Sequence, residues 1–175
     1  MTIKTIFLDR DGVINKEIHH LFKIEDFVFL DGVFEACLNF QKLGYKIIII
    51  TNQSGIARGL YSENDYSILT KWMINKFKKR KIYILDEFHC PHLPNYNCDC
   101  RKPMPGLFNK AKAQYHIDMS KSWMIGDKET DIKAANASGI DNTILVRSGH
   151  LIDEDNSRSK YILDSIKQST EIIVT

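Results

Sequence analysis

Ile6-Phe7-Leu8-Asp9-Arg10-Asp11-Gly12 is the stretch that decides the fold: an apolar run that stops abruptly at two aspartates flanking an arginine. Together with Ile3, residues Ile6, Phe7 and Leu8 predict a core strand, and Gly12 permits the sharp turn after it. A strand end is where an open α/β sheet places its ligands. Two carboxylates two residues apart leave an extended segment on the same side. One can attack an electrophile or hold a metal while the other moves protons. Asp-x-Asp also occurs in sugar-binding, calcium-binding and plain turn sequences, so the pair alone leaves the chemistry open.

Strand and helix signals alternate along the rest of the chain. Gly32 to Leu43 has helical spacing at Val33, Phe34, Cys37, Leu38 and Phe40, with Gly44 to close it. The β-branched run Tyr45 to Thr51 suits a strand buried on both faces. Ser62 reads as the N-cap of a helix to about Arg80 that buries Trp72, Met73, Ile74 and Phe77. Further strands are expected over Ile82–His89, Trp123–Gly126 and Thr143–Val146, with helices over Leu107–Tyr115 (opened by Pro105) and Thr130–Ala137 (closed by Gly139). This βαβα order predicts a three-layer, Rossmann-like parallel sheet with helices on both faces. The tail after Gly149 is polar up to Lys160 and then briefly apolar, and gives no clear reading.

A chain of 175 residues is expected to form one domain, 1–175, around one core. Its 43% hydrophobic and 26% charged residues are those of an ordinary soluble protein, and a net charge of +2 gives no argument for nucleic acid or an anionic membrane as partner. No apolar run approaches the ~20 residues of a membrane span. Met1 to Lys4 run straight into the first strand without a signal peptide, so a cytoplasmic location is expected, and a monomer.

Each further strand is followed by chemically useful residues. Thr51-Asn52-Gln53-Ser54-Gly55-Ile56-Ala57-Arg58-Gly59 offers a hydroxyl, amides and free backbone N–H groups, either a phosphate cradle or an Asn/Ser/Gly turn. Arg101-Lys102-Pro103 is either an oxyanion-neutralising pair or a solvated basic pair. Gly126-Asp127-Lys128-Glu129-Thr130-Asp131 puts a carboxylate at a strand tip and another one helical turn on, where the helix dipole alone would also favour it. Aspartates, Thr51, Lys102 and Asp127 thus gather at one edge of a single sheet.

All four prolines and three of the four cysteines fall between Cys90 and Pro105. Cys90-Pro91-His92 and Cys98-Asp99-Cys100 supply three thiols and an imidazole, the ligand set of a closed tetrahedral zinc site. Buried free thiols or a redox pair are the competing readings. As a zinc loop of about 90–103, the segment would brace the delivery of Arg101 and Lys102. Cys37, on an apolar helix face, reads as core.

With these motifs assembled, the sequence resembles the haloacid dehalogenase superfamily of phosphatases. The match is Asp9-x-Asp11-Gly12, Thr51, Lys102 and Gly126-Asp127-x-x-x-Asp131, spanning about Ile3 to Val146. Within it, Asp9-Arg10-Asp11-Gly12, Thr51-Asn52-Gln53-Ser54-Gly55 and Cys98-Asp99-Cys100-Arg101-Lys102-Pro103 resemble the branch that holds the heptose 1,7-bisphosphate 7-phosphatases and the histidinol-phosphatases.

The resemblance implies an Mg²⁺-dependent phosphatase working through an aspartyl-phosphate, without a large cap domain and with structural Zn²⁺. Asp9 would be the nucleophile and Asp11 the acid and base, with Thr51 and Lys102 holding phosphoryl oxygens. Asp9, the Asp11 carbonyl and Asp127 would hold Mg²⁺, and Cys90, His92, Cys98 and Cys100 would hold Zn²⁺. Asn52, Gln53, Ser54, Arg58, Arg101 and Lys128 would face a small phosphorylated sugar. Where the heptose enzymes carry an Asp-His-Gly-Tyr-like loop this chain has Glu17-Ile18-His19-His20, so Glu17 and His20 are placed near the substrate without assigned contacts. The implied reaction is removal of the 7-phosphate of heptose 1,7-bisphosphate, in the supply of activated heptose for lipopolysaccharide or other surface polysaccharide. Histidinol-phosphate hydrolysis is the alternative, and a non-catalytic zinc-stabilised binding module the remote one.

Overall fold

The computed structural model describes residues 2–174. Six strands form one sheet in the order β3-β2-β1-β4-β5-β6, with all pairings parallel. They are β1 (Thr5–Leu8), β2 (Lys46–Asn52), β3 (Ile84–Cys90), β4 (Trp123–Gly126), β5 (Asn142–Val146) and β6 (Tyr161–Leu163). Helices α1 (Val33–Lys42), α2 (Glu63–Lys78), α3 (Gly106–Tyr115), α4 (Glu129–Ala137) and the short α5 (Ser169–Ile172) complete the α/β alternation.

The period of two along the central strands divides the core into two layers. Ile6 and Leu8 of β1 and Ile47 and Ile49 of β2 join one cluster with α1 (Phe40, Cys37) and α2 (Leu69, Met73, Phe77). Phe7, Ile48 and Ile50 point to the other, with α3 (Leu107, Phe108) and α4 (Ala134, Ala135). Sheet strands buried on both faces need such unbroken apolar runs, which explains the Ile47-to-Ile50 tract.

β1 occupies the middle, between β2 and β4. The chain builds outward from β1 through β2 to β3, then returns to the other side of β1 with β4. The reversal makes the carboxyl ends of β1 and β4 a topological switch point, where a crevice opens. Asp9 and Asp127 follow directly on those two ends.

One expectation needs correction. Only Met73 and Phe77 of the four residues expected inside from α2 are fully buried; Trp72 and Ile74 are half-buried. Successive residues are 100° apart on a helix, so 72, 73 and 74 cannot share one face. The buried stripe runs through Tyr66, Leu69, Thr70, Met73 and Phe77 instead. The Ser62 cap is present, its hydroxyl accepting from Asp65 N at 3.1 Å. The tail supplies a sixth strand pairing with β5 and then inserts Ile166 and Ile173 into the core. Among the described residues no helix is long and apolar enough to cross a membrane.

Phe7 is fully buried, its ring centroid 5.1 Å from that of Phe108. Phe7→Ala should cost about 3–5 kcal/mol through lost transfer energy and a cavity beneath the site. Urea denaturation checks this; a loss under about 1 kcal/mol would mean that α3 does not brace the central strand.

Candidate active site

β1 ends at a cleft of about 470 Å³ that Asp9, Asp11, Thr51, Arg101, Lys102, Lys128 and Asp131 help to line. Asp9 is 8% exposed, and its Oδ1 accepts from the Arg10 backbone N–H at 2.8 Å. The Lys102 ammonium lies 3.0 Å from the same oxygen, 2.7 Å from Asp131 Oδ1, and donates to the Ile50 carbonyl at 2.8 Å. Both carboxylates hold Lys102 firmly in its charged form despite its burial.

Asp11 has a different setting. The Arg10 guanidinium contacts both of its oxygens at 2.9–3.2 Å, and Arg10 is itself anchored on the Leu21 carbonyl. Asn15 Nδ2 and Gln53 Nε2 donate to Asp11 at 2.9 and 3.0 Å. Burial pushes the Asp11 carboxyl up, but Arg10 and the two amides outweigh it and hold it below its ordinary range.

Gln53 also donates to Thr51 Oγ1 at 2.9 Å, while Tyr61 Oη donates to Gln53 Oε1 at 2.6 Å. One buried amide therefore ties the tip of β2 to the tip of β1. Asn52 faces the neighbouring loop: Nδ2 donates to the Lys102 carbonyl and Oδ1 accepts from Lys102 N, both at 3.1 Å. The side chain of Asn52 thus clamps the backbone that delivers Lys102. Ser54, Glu17 and His20 line the cleft; Arg58 is exposed in the turn beyond Gly55 and does not.

β4 supplies Asp127, fully buried, and α4 supplies Asp131. Asp131 Oδ2 accepts from Asp127 N at 3.1 Å and Lys128 N at 3.0 Å, so one carboxylate caps the start of α4 and pairs Lys102. Asp127 Oδ2 accepts from His150 N at 3.0 Å and lies 2.6 Å from His150 Nδ1. Gly12, at φ 84°, and Gly149 press against the Asp127 carboxylate, and a Cβ at either would collide with it.

Carboxylate oxygens of Asp9, Asp127 and Asp131 lie within 4.8 Å of one another. Against three carboxylates stands one ammonium, which leaves two negative charges, the complement of one divalent cation. Asp127 Oδ1 is buried with no hydrogen-bond partner. An orphaned carboxylate oxygen in an oxygen-rich cluster fits a hard cation such as Mg²⁺.

In the loop after β3, Cys90, His92, Cys98 and Cys100 bring their ligand atoms within 4.8 Å of one another. Cys90 Sγ and Cys98 Sγ are 3.9 Å apart, near the ~3.8 Å edge of a tetrahedron with Zn–S of ~2.3 Å. Cys90–His92, His92–Cys100 and Cys90–Cys100 are 3.5, 3.2 and 2.9 Å apart. Arg101 Nη1 donates to the His92 carbonyl at 3.1 Å, so the cluster leads directly into the two cations that follow it.

Comparison with known proteins agrees with this geometry. A family model described as HAD-hydrolase-like matches residues 99–169. The D-glycero-alpha-D-manno-heptose-1,7-bisphosphate 7-phosphatase of Photorhabdus laumondii is 48% identical over 87% of this chain and 87% of its own length. The D-glycero-beta-D-manno-heptose-1,7-bisphosphate 7-phosphatase of Vibrio cholerae is 42% identical over 95% of this chain and 94% of its own. The chain belongs to the haloacid dehalogenase superfamily. A crystal structure of D,D-heptose 1,7-bisphosphate phosphatase from B. bronchiseptica, complexed with magnesium and phosphate, superposes with a TM-score of 0.85. It is 27% identical and covers 97% of each chain.

Several cleft residues of this haloacid dehalogenase fold carry no separate sequence signal. Tyr61 and His150 line the cleft without any motif spacing of their own, and His150 falls in the unreadable tail. Asp131 was visible only as the last residue of the Gly126-to-Asp131 motif.

Burial pushes the Asp127 carboxyl up to about 9, with Asp9 and Asp131 adding to the rise. Burial likewise lifts Asp9 to about 6, the pull of Lys102 opposing it. Both values exceed the ordinary 3.8 of an unfolded aspartate, so these groups favour the folded state fully below about pH 4. That contribution fades as pH rises through 6 and on toward 9. Magnesium held by these carboxylates would compete with those protons and should therefore raise Tm more at about pH 8 than at about pH 5. Thermal melts with and without Mg²⁺ at both pH values measure it; an equal shift would mean the ion binds elsewhere.

Proposed function

We propose that this chain hydrolyses the 7-phosphate of D-glycero-D-manno-heptose 1,7-bisphosphate, leaving heptose 1-phosphate, with Asp9 as nucleophile. One observation carries the reading. The Asp9 carboxylate opens on the cleft beside Lys102, in a chain whose relatives are named for that reaction.

Phosphate monoesters resist hydrolysis so strongly that enzymatic acceleration reaches ~10²¹. The first requirement is to bring an anionic nucleophile against a dianion. Asp9, Asp127 and the Asp11 carbonyl would hold Mg²⁺, which when bound supplies positive charge between nucleophile and phosphoryl group. Lys102 and the Thr51 hydroxyl meet the equatorial oxygens as charge spreads over them. An Asp9 oxygen then bonds to phosphorus as the bond to the sugar oxygen breaks. Asp11 gives its proton to that leaving oxygen. In the second half Asp11, now a carboxylate, takes a proton from water, whose oxygen attacks phosphorus and frees Asp9 and inorganic phosphate.

Arg101 and Lys128 supply positive charge beyond the phosphoryl site, which suits a second phosphate better than the cationic amine of histidinol phosphate. Ser54, Glu17 and His20 complete the sugar side of the cleft, and Gln53 positions Thr51 and Asp11. The whole chain serves as one phosphatase unit in the cytoplasm, as a monomer, in the supply of activated heptose for surface polysaccharide. A small sugar phosphate is its partner, not nucleic acid or membrane.

Phosphate release from both anomers of heptose 1,7-bisphosphate, histidinol phosphate and common sugar phosphates, with Mg²⁺, tests the substrate. The bisphosphate should give the highest kcat/KM; a preference for histidinol phosphate would reverse the assignment. Asp9→Asn should lower kcat by about 10⁴-fold or more, the scale set by loss of an essential nucleophile. A near-wild-type rate would rule out the covalent route.

Zinc on Cys90, His92, Cys98 and Cys100 would act as a brace, its four ligands leaving no open position for chemistry. Cys98→Ser, or chelation of zinc with Mg²⁺ replete, should lower kcat/KM about tenfold to a hundredfold by loosening the delivery of Arg101 and Lys102. Metal analysis alongside turnover decides the point: full activity in zinc-free protein contradicts the brace.

A further inference from the structure

Glu17 and His19 from the loop after β1 meet His150 from the loop after β5 at the mouth of the cleft. One ligand atom from each lies within 4.8 Å of the others. The rings of His19 and His150 stand edge to face, 6.3 Å between centroids. Glu17 is already turned inward: its Oε1 accepts from His19 N at 2.7 Å and lies 3.6 Å from His19 Nδ1. His19 takes a left-handed backbone at φ 46°, uncommon for a residue with a Cβ.

His150 adds a second, independent feature. Its Nδ1 is engaged by Asp127 Oδ2 at 2.6 Å, which leaves Nε2 as the nitrogen free to ligate. A carboxylate on one ring nitrogen fixes the tautomer and the ring orientation, the arrangement typical of metal-bound histidine. Two imidazoles and a carboxylate suit borderline ions such as Zn²⁺, Co²⁺ or Ni²⁺ rather than Mg²⁺.

We propose that Glu17, His19 and His150 bind a divalent transition-metal ion that clasps the two loops across the mouth of the cleft. This site is separate from the oxygen cluster of Asp9, Asp127 and Asp131 and from the cysteine loop. With three protein ligands it keeps an open coordination position, unlike the four-ligand cysteine site. Since all three residues line the cleft, that position would take water or an oxygen of a bound phosphate. The proposal goes beyond the phosphatase reading and does not depend on it.

Cobalt serves as the probe. Full-length protein, zinc-loaded at its cysteines and in excess Mg²⁺, is dialysed to equilibrium against Co²⁺ and compared with His19→Ala and Glu17→Gln. Wild type should hold an additional Co²⁺ per chain, and each variant should bind it at least about tenfold more weakly. Because both substitutions lie in a surface loop, unchanged thermal melts of the metal-free proteins would show that folding is intact. Paramagnetic shifts of imidazole protons give a second readout, expected in wild type and absent from His19→Ala. Equal Co²⁺ uptake by all three proteins, or no imidazole shifts in wild type, would overturn the site and leave the cation at the aspartates or cysteines alone.

Discussion

A buried ammonium between two buried carboxylates sets the terms for this molecule. Lys102 is 3% exposed and touches Asp9, Asp131 and the Ile50 carbonyl. Removing any one partner would strand a charge in a medium that cannot solvate it, typically at several kcal/mol. Each partner must therefore be delivered accurately from a different part of the chain. β1 delivers Asp9, α4 delivers Asp131, and the loop after β3 delivers Lys102, held by the Asn52 clamp. The excess negative charge left over is what suits the cluster to a cation. Folding and ion binding thus draw on the same few groups.

The same economy appears around Asp127. Gly12 and Gly149 leave room for its carboxylate only because neither has a Cβ, and His150 fixes one of its oxygens. The other oxygen stays without a partner in the protein. Buried polar atoms are rarely left so, and one that is invites a ligand. The crevice itself follows from topology, since the connections after the paired strands β1 and β4 run to opposite sides of the sheet order, toward β2 and toward β5.

Much of this was legible in the chain. Unbroken apolar runs gave away the buried parallel strands, and each chemically rich segment followed a strand signal. Asp9, Thr51, Lys102 and Asp127 could be placed together because a parallel sheet sends every strand's carboxyl end to one edge. The limits were physical too. β6 has three half-buried residues, too few for a period. Trp72 and Ile74 pack against the core only half-buried, flanking the stripe, because counting apolar residues does not show which share a helix face. Asn52 and Gln53, expected to face the substrate, both line the cleft and also spend hydrogen bonds on Lys102, Thr51 and Asp11. Sequence offers no way to tell an amide that binds a ligand from one that orients its neighbour.

Asp11 shows why that distinction matters for the proposed reaction. Held by Arg10, Asn15 and Gln53, its carboxyl is kept ionised, the form that activates water in the second half-reaction. The first half-reaction needs the same group to carry a proton. Both demands can be met if the environment changes between the two steps. A phosphate dianion entering beside Asp11 adds negative charge that favours protonation, opposing Arg10. Loss of the sugar and transfer of the phosphoryl group to Asp9 then removes part of that charge, and Arg10 regains control of the carboxylate. Arg10, buried and anchored on the Leu21 carbonyl, is in this view the fixed counter-charge against which the proton moves. The arginine between the two aspartates is then as necessary to the strand-end motif as the aspartates themselves.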